Sequence, residues 1–263
     1  MTRFALITTQ RSGSNFLRSV LNSHPEIFVY DEVLLESAWE HDWSIYQFML
    51  QSLKEDPFNI TYSRMLYVQR AYIDNILSEK DGRQIVGADI KYDQLMQFPS
   101  FLELMRQAGV KVIHLVRTNV LKTLVSAERN RIMRQQGMIK PKTTLAEKLP
   151  PVKLPLECGP QLINSLKQRQ AQIQQFSAQL PLHFPYLEVH YESFFENDEM
   201  ESKTIADSAL QNVYEFLGVK QRSAPTKSYT VKQNPARLSD SIENFEQVKE
   251  FLSLNGYGHF IDA

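Results

Sequence analysis

Apolar residues along this chain fall into two interleaved patterns. Short, mainly apolar runs rich in β-branched residues occur at Phe4 to Thr9, Ile85 to Ile90, Val110 to Val116 and Tyr186 to His190. Runs of this length and composition predict strands buried on both faces, as in a parallel sheet. Elsewhere apolar residues recur at helical spacing. Phe16, Leu17, Val20 and Leu21 share one helical face, and comparable stripes cover about 34–53, 64–77, 101–107, 120–133, 161–180, 205–217 and 242–254.

Stop signals agree with these limits. Pro25 disfavours α geometry at His24, and Gly109 and Gly218 stand where helices commonly end in a left-handed residue. Strands alternating with long helices predict one α/β domain over 1–263, a central parallel sheet flanked by helices. The stretch 135–160 fits neither pattern and carries Pro141, Pro150, Pro151, Pro155 and Pro160. A loop of that length is uncommon in a compact domain, and it reads as a lid-like, loop-rich insertion framing a substrate entrance.

Composition narrows the partners. A net charge of −1 removes the basic stripe that a nucleic-acid binder needs for counterion release, so none is expected. Cys158 is the sole cysteine, which excludes an internal disulfide framework and a thiolate zinc cluster; the six histidines show no ligand spacing, so no metal is expected. No run approaches the length of a membrane span, and the apolar run at Phe4 is too short for a signal peptide, so the expected location is cytoplasmic.

Chemistry concentrates in the turn after the first run. Gln10-Arg11-Ser12-Gly13-Ser14-Asn15 joins a strand to a helix, where free N–H groups and the helix dipole favour an anion. Gly13 permits close backbone approach, the two serines and Asn15 add donors, and Arg11 adds a fixed cationic fork. The segment lacks the second glycine and the lysine of a Walker A loop and the three glycines of a dinucleotide fingerprint. It also reads more plainly, as a turn whose Ser12 or Ser14 caps the helix.

Thr9 to Leu17 resembles the 5′-phosphosulfate loop of sulfotransferases. The likeness is closest to the Arg-Ser-Gly-Ser/Thr branch, which includes tyrosylprotein sulfotransferases and bacterial carbohydrate sulfotransferases. Gln10 departs from that pattern where many members have proline. The resemblance implies a P-loop-like sulfotransferase fold with 3′-phosphoadenylyl sulfate (PAPS) as co-substrate and 3′,5′-adenosine bisphosphate as product. It implies Arg11 in the place of the catalytic cation, with Ser12, Gly13, Ser14, Asn15 and Phe16 around the 5′-phosphosulfate. The family's second anchor, an arginine and a downstream serine for the 3′-phosphate, matches Arg117 and Ser126. Their spacing of nine resembles the bacterial trehalose-type branch.

The same branch places a catalytic glutamate soon after the first helix, and His24-Pro25-Glu26-Ile27-Phe28-Val29-Tyr30-Asp31-Glu32 resembles that segment. Glu32 then takes the acceptor's proton, with Asp31 and His41 as alternatives; the acidic pair also suits a helix start. His114, inside a strand pattern, reads as a core histidine. Lys91, in a segment resembling Gly-x-Lys-hydrophobic-Tyr, is a candidate for a donor or acceptor contact, and Lys232 and Arg237, in a basic loop before the last helix, are candidate phosphate or adenine-side contacts to the donor. His190 to Phe194 resembles a structural segment of the family. The implied acceptor is a carbohydrate or glycolipid hydroxyl, with a polyketide or other secondary-metabolite alcohol or a phenol as alternatives, and Trp39 and Trp43 could stack on a sugar. Two other readings fit the residues less fully: a small-molecule kinase with a divergent phosphate loop, and a silent nucleotide-binding protein.

Overall fold

The computed structural model describes residues 1–137, 153–194, 207–220 and 237–262. Five strands form one all-parallel sheet: β1 (Thr2–Thr8), β2 (Ile27–Tyr30), β3 (Ile85–Lys91), β4 (Lys111–Val116) and β5 (Tyr186–His190), in the order β2-β3-β1-β4-β5. Ten helices are described: α1 (Ser14–Asn22), α2 (Ile45–Glu55), α3 (Tyr62–Ile76), α4 (Tyr92–Gln97), α5 (Ser100–Gln107), α6 (Val120–Gln135), α7 (Pro160–His183), α8 (Asp207–Leu217), α9 (Phe245–Leu254) and α10 (His259–Asp262).

Alternation along β1 splits the core. Ala5 and Ile7 face a layer built from α3, α5 and the end of α7, through Tyr72, Ile73, Phe101, Met105 and Leu180. Phe4 and Leu6 face α1 and α8, through Leu17, Val20, Leu21, Leu210, Val213 and Tyr214. A third cluster joins α6, α7, α9 and α10 around Leu121, Val125, Leu166, Leu252 and Phe260. Every residue of β3 is buried, two of them charged, Asp89 and Lys91, both near the strand's carboxyl end.

The strand order positions the site. After β1 the chain crosses to β2 on one side, whereas after β4 it moves to β5 on the other. Loops leaving neighbouring strands in opposite directions open a crevice at their carboxyl ends, where open α/β sheets bind ligands. That crevice lies between Thr8 and Val116.

Three sequence expectations change. A fifth strand, β2, stands beside β3 where only motif residues were read. Residues 31–44 are mostly irregular, so the helix expected from about Leu34 starts at Ile45, where Ser44 accepts a bond from the Tyr46 N–H and caps it. Residues 92–97 form the short helix α4. Of the proline-rich insertion, 138–152 lies outside the described residues, as does Lys232.

Candidate active site

The loop after β1 is shaped by two left-handed residues, Arg11 at φ 68° and Gly13 at φ 92°. A Cβ on residue 13 would come within 2.2 Å of the edge of the Tyr191 ring, so glycine is required there by sterics as well as by φ. Gly13 is the N-cap of α1; no side chain caps that helix, and no acidic residue lies in its first turn. Ser12 is fully buried, and its hydroxyl has no hydrogen-bond partner among the described residues. The expected serine cap is therefore not made. An uncapped helix start beside a buried, unsatisfied hydroxyl suits an anion.

The two sequence motifs converge. Arg117 is buried at the end of β4 and its Nη1 donates to the Arg11 carbonyl at 3.2 Å, while its guanidinium lies 4.8 Å from the Tyr191 ring centroid. Arg11 Nε donates to Ser126 Oγ at 3.0 Å. With its amide carbonyl turned inward, Asn130 accepts from both terminal nitrogens of Arg11 at 3.0 and 3.2 Å. Tyr191 thus backs both Gly13 and Arg117. Its neighbour Glu192 accepts from the backbone N–H groups of Thr118 and Asn119 at 3.1 to 3.3 Å and fixes the start of α6.

More cations gather here than the motifs named. Burial first, then Arg134, Arg117 and Arg129, lower the pKa of Arg11, opposed by Glu32. Arg129 sits on α6 three residues past Ser126 and is almost fully buried. Arg169, from α7, donates through Nη1 to the Gln10 carbonyl at 3.1 Å and to Thr123 Oγ1 at 2.8 Å. Arg129 could have been found from its place one turn beyond Ser126. Arg169 had no local signal, because a long polar-faced helix hides which residue turns inward.

The carboxylates line the other side. Asp31 is ion-paired to Arg18 of α1 at 2.5 Å and accepts the Glu32 N–H at 2.9 Å. Burial raises the Asp31 pKa, but Arg18 and that N–H outweigh it, and the net shift is downward. Glu32 is shifted upward, first by burial, then by Asp89 and Asp31, against Lys91 and Gln10. Its Oε2 accepts from Gln94 Nε2 at 2.9 Å and from Gln10 Nε2 at 3.4 Å. Lys91 is paired with Asp89 and donates to Ser14 Oγ at 2.6 Å. Asp31, Glu32 and Asp89 are the one grouping among the described residues spaced to hold a metal ion, with ligand oxygens within 4.8 Å. Two of the three are already ion-paired.

The remaining candidates fall elsewhere. Asn15 is exposed and accepts from Arg18 at 3.3 Å, and Phe16 packs edge-on against Tyr191 and Phe194. His41 is exposed and stacks on Trp43 at 4.8 Å, and Trp39 is half exposed. Arg237 is exposed at the start of the turn Leu238–Asp240. His114 is a core histidine: it meets the Tyr92 and Tyr186 hydroxyls, and burial lowers its pKa to about 4. No described helix is long and apolar enough to cross a membrane.

No protein-family model matches the chain. It is 23% identical over 262 residues to nodulation protein H of Rhizobium meliloti (strain 1021), covering 98% of this chain and 94% of that one. Among solved structures it is similar to a sulfotransferase from Alicyclobacillus acidocaldarius, with TM-score 0.45 and 12% identity over 98% of this chain and 96% of that one. It is likewise similar to a sulfotransferase domain from the curacin biosynthetic pathway, with TM-score 0.46 and 12% identity over 98% of both chains. The chain is thus related over nearly its whole length to nodulation protein H, and its parallel sheet brings both sequence motifs to one crevice.

Proposed function

We propose that this enzyme moves the sulfuryl group of PAPS onto a carbohydrate or glycolipid hydroxyl, with Glu32 as the base. The observation that carries the reading is that Arg117 and Ser126 both hydrogen-bond Arg11, and that Glu32, a carboxylate of raised pKa, lies near enough to act on the charge of Arg11. The donor's 5′-phosphosulfate would lie on the loop 11–16, whose uncapped helix start and buried Ser12 hydroxyl suit it. Its 3′-phosphate would lie on Arg117 and Ser126.

In this mechanism the acceptor oxygen attacks sulfur in line, forming one S–O bond as the bridging bond to the 5′-phosphate breaks. Arg11 stabilises the charge that develops on the leaving phosphate, a role fixed positive charge performs best in a site sheltered from water. Glu32 takes the hydroxyl proton. Of the two adjacent carboxylates it is the better base: Asp31 is held ionised by Arg18, while the raised pKa of Glu32 brings it nearer the operating pH. The half-exposed Trp39 and the His41–Trp43 stack offer flat faces for a sugar ring.

The test is calorimetric titration with 3′,5′-adenosine bisphosphate, beside ATP and ADP with magnesium. Tight binding of the bisphosphate, weakened at least tenfold by Arg117→Ala, is expected. Binding of ATP in its place would turn the reading to a kinase. Binding of the bisphosphate with no transfer to any sugar hydroxyl would turn it to a silent nucleotide-binding protein.

A further inference from the structure

Glu32 is held asymmetrically. Both of its bonds from side chains go to Oε2, one from Gln94 at 2.9 Å and one from Gln10 at 3.4 Å, and Oε1 has no partner among the described residues. Each amide is itself anchored. Gln94 is buried, and its Oε1 accepts the Lys91 N–H at 3.0 Å, which locks the side chain to the start of α4. Gln10 is fixed through its carbonyl by Arg169, whose second bond to Thr123 ties α7 to α6.

We propose that Gln94 and Gln10 are positioning residues that commit one oxygen of Glu32 to the protein and leave the other to the acceptor hydroxyl, with Arg169 holding Gln10 in place. The inference rests on Glu32 being the base. An ionised carboxylate with two unheld oxygens rotates freely about its last torsion; donors on one oxygen fix the plane in which the other can receive a proton. A base must lie within hydrogen-bond reach of the proton it removes, and small misplacements are costly. The clamp also explains Gln10. A proline there could not reach Glu32, whereas the glutamine amide does.

Other charges facing Glu32 are Asp31 from its own loop, Asp89 and Lys91 from β3 and Arg11 from the loop after β1. None of them supplies the two bonds on Oε2. The clamp should therefore be separable from the general electrostatics of the pocket.

The experiment is a 13C-carboxyl NMR titration of the full chain, free and with 3′,5′-adenosine bisphosphate, with Glu32 assigned by the signal lost in Glu32→Gln. Both amides donate to the ionised form, so removing either raises the midpoint. Gln94→Met is expected to raise it by about one pH unit, and Gln10→Ala by less because its bond is longer. Arg169→Met should match Gln10→Ala and add nothing to it in the double variant. Midpoints unmoved by both Gln94→Met and Gln10→Ala would overturn the proposal, and a shift in Arg169→Met that adds fully to Gln10→Ala would remove Arg169 from it. Should Gln94→Met fail to fold, the partly exposed Gln10 carries the test alone. Wild-type turnover in Glu32→Gln, beside shifted midpoints, would sink Glu32 as base and the acceptor's claim on Oε1 with it, leaving only the two bonds on Oε2 established.

Discussion

Arg11 and Ser126 stand 115 residues apart in sequence, and the Nε–H of the arginine donates to the serine hydroxyl at 3.0 Å. With the bond from Arg117 to the Arg11 carbonyl, this joins the loop after β1 to the segment that follows β4. A ligand bearing an anion at each end is the kind of molecule that can bridge the two.

Ser126→Ala tests that coupling. Arg11 would keep Asn130, so its placement should largely survive while one polar contact to the ligand goes. The loss of a hydrogen bond to a charged group costs about 1.5 kcal/mol, or about tenfold in affinity. Calorimetry should show 3′,5′-adenosine bisphosphate bound about tenfold more weakly, while the free chain, which also loses the Arg11–Ser126 bond, still unfolds cooperatively at a somewhat lower thermal midpoint. Unchanged affinity would take Ser126 out of the pocket.

Arg11 is also a non-glycine residue at φ 68°, inside a group of arginines. Such a backbone state costs about 1 kcal/mol that glycine does not incur. Arg11→Gly and Arg11→Ala lose the same guanidinium, so their difference isolates the backbone. Both should cut turnover about 10²- to 10³-fold, as loss of a preorganised cation does. Arg11→Gly should be the more stable by about 1 kcal/mol in denaturant unfolding; equal stability would mean the loop relaxes out of the left-handed region.

Much of this arrangement was legible in the chain, for reasons that differ by element. β1, β3, β4 and β5 announce themselves because parallel strands buried on both faces need uninterrupted apolar runs. β2 has four residues, alternating buried and half-buried at the sheet's edge, and so carries too little pattern to separate from a loop. The aromatic stripe over 34–44 has helical spacing, yet its residues pack from irregular backbone; spacing alone does not distinguish the two. In the site, Arg11, Glu32 and Arg117 sit at strand ends within local motifs. Gln94 and Arg169 act through contacts between elements 62 and 159 residues apart in sequence, which no local pattern encodes.

Glu32 should make the protein more stable when it is uncharged. Its folded pKa lies above the ordinary carboxylate value, chiefly through burial. A group raised in this way favours folding while protonated, and that contribution is lost as pH rises through the folded pKa. Glu32→Gln should therefore match the wild type below the ordinary carboxylate range and exceed it in unfolding free energy at neutral pH. Denaturant unfolding at about pH 3 and pH 7.5 measures this; a variant less stable at the higher pH would contradict the raised pKa.

Lys91 and Asp89 form an ion pair almost wholly buried in β3, beneath Ser14 and Glu32. Breaking one partner leaves an uncompensated charge in the core, which costs about 3–5 kcal/mol, whereas removing both partners is far better tolerated. Lys91→Met and Asp89→Asn should each lower stability by that order, and the double variant should recover most of it. Activity should not follow. Lys91 is the main charge holding the Glu32 pKa down, so its removal leaves Glu32 protonated over a wider pH range and shifts the acid limb of the rate profile upward. Asp89 opposes that effect only in part. A double variant that regains both stability and the wild-type acid limb would mean the pair serves the core alone.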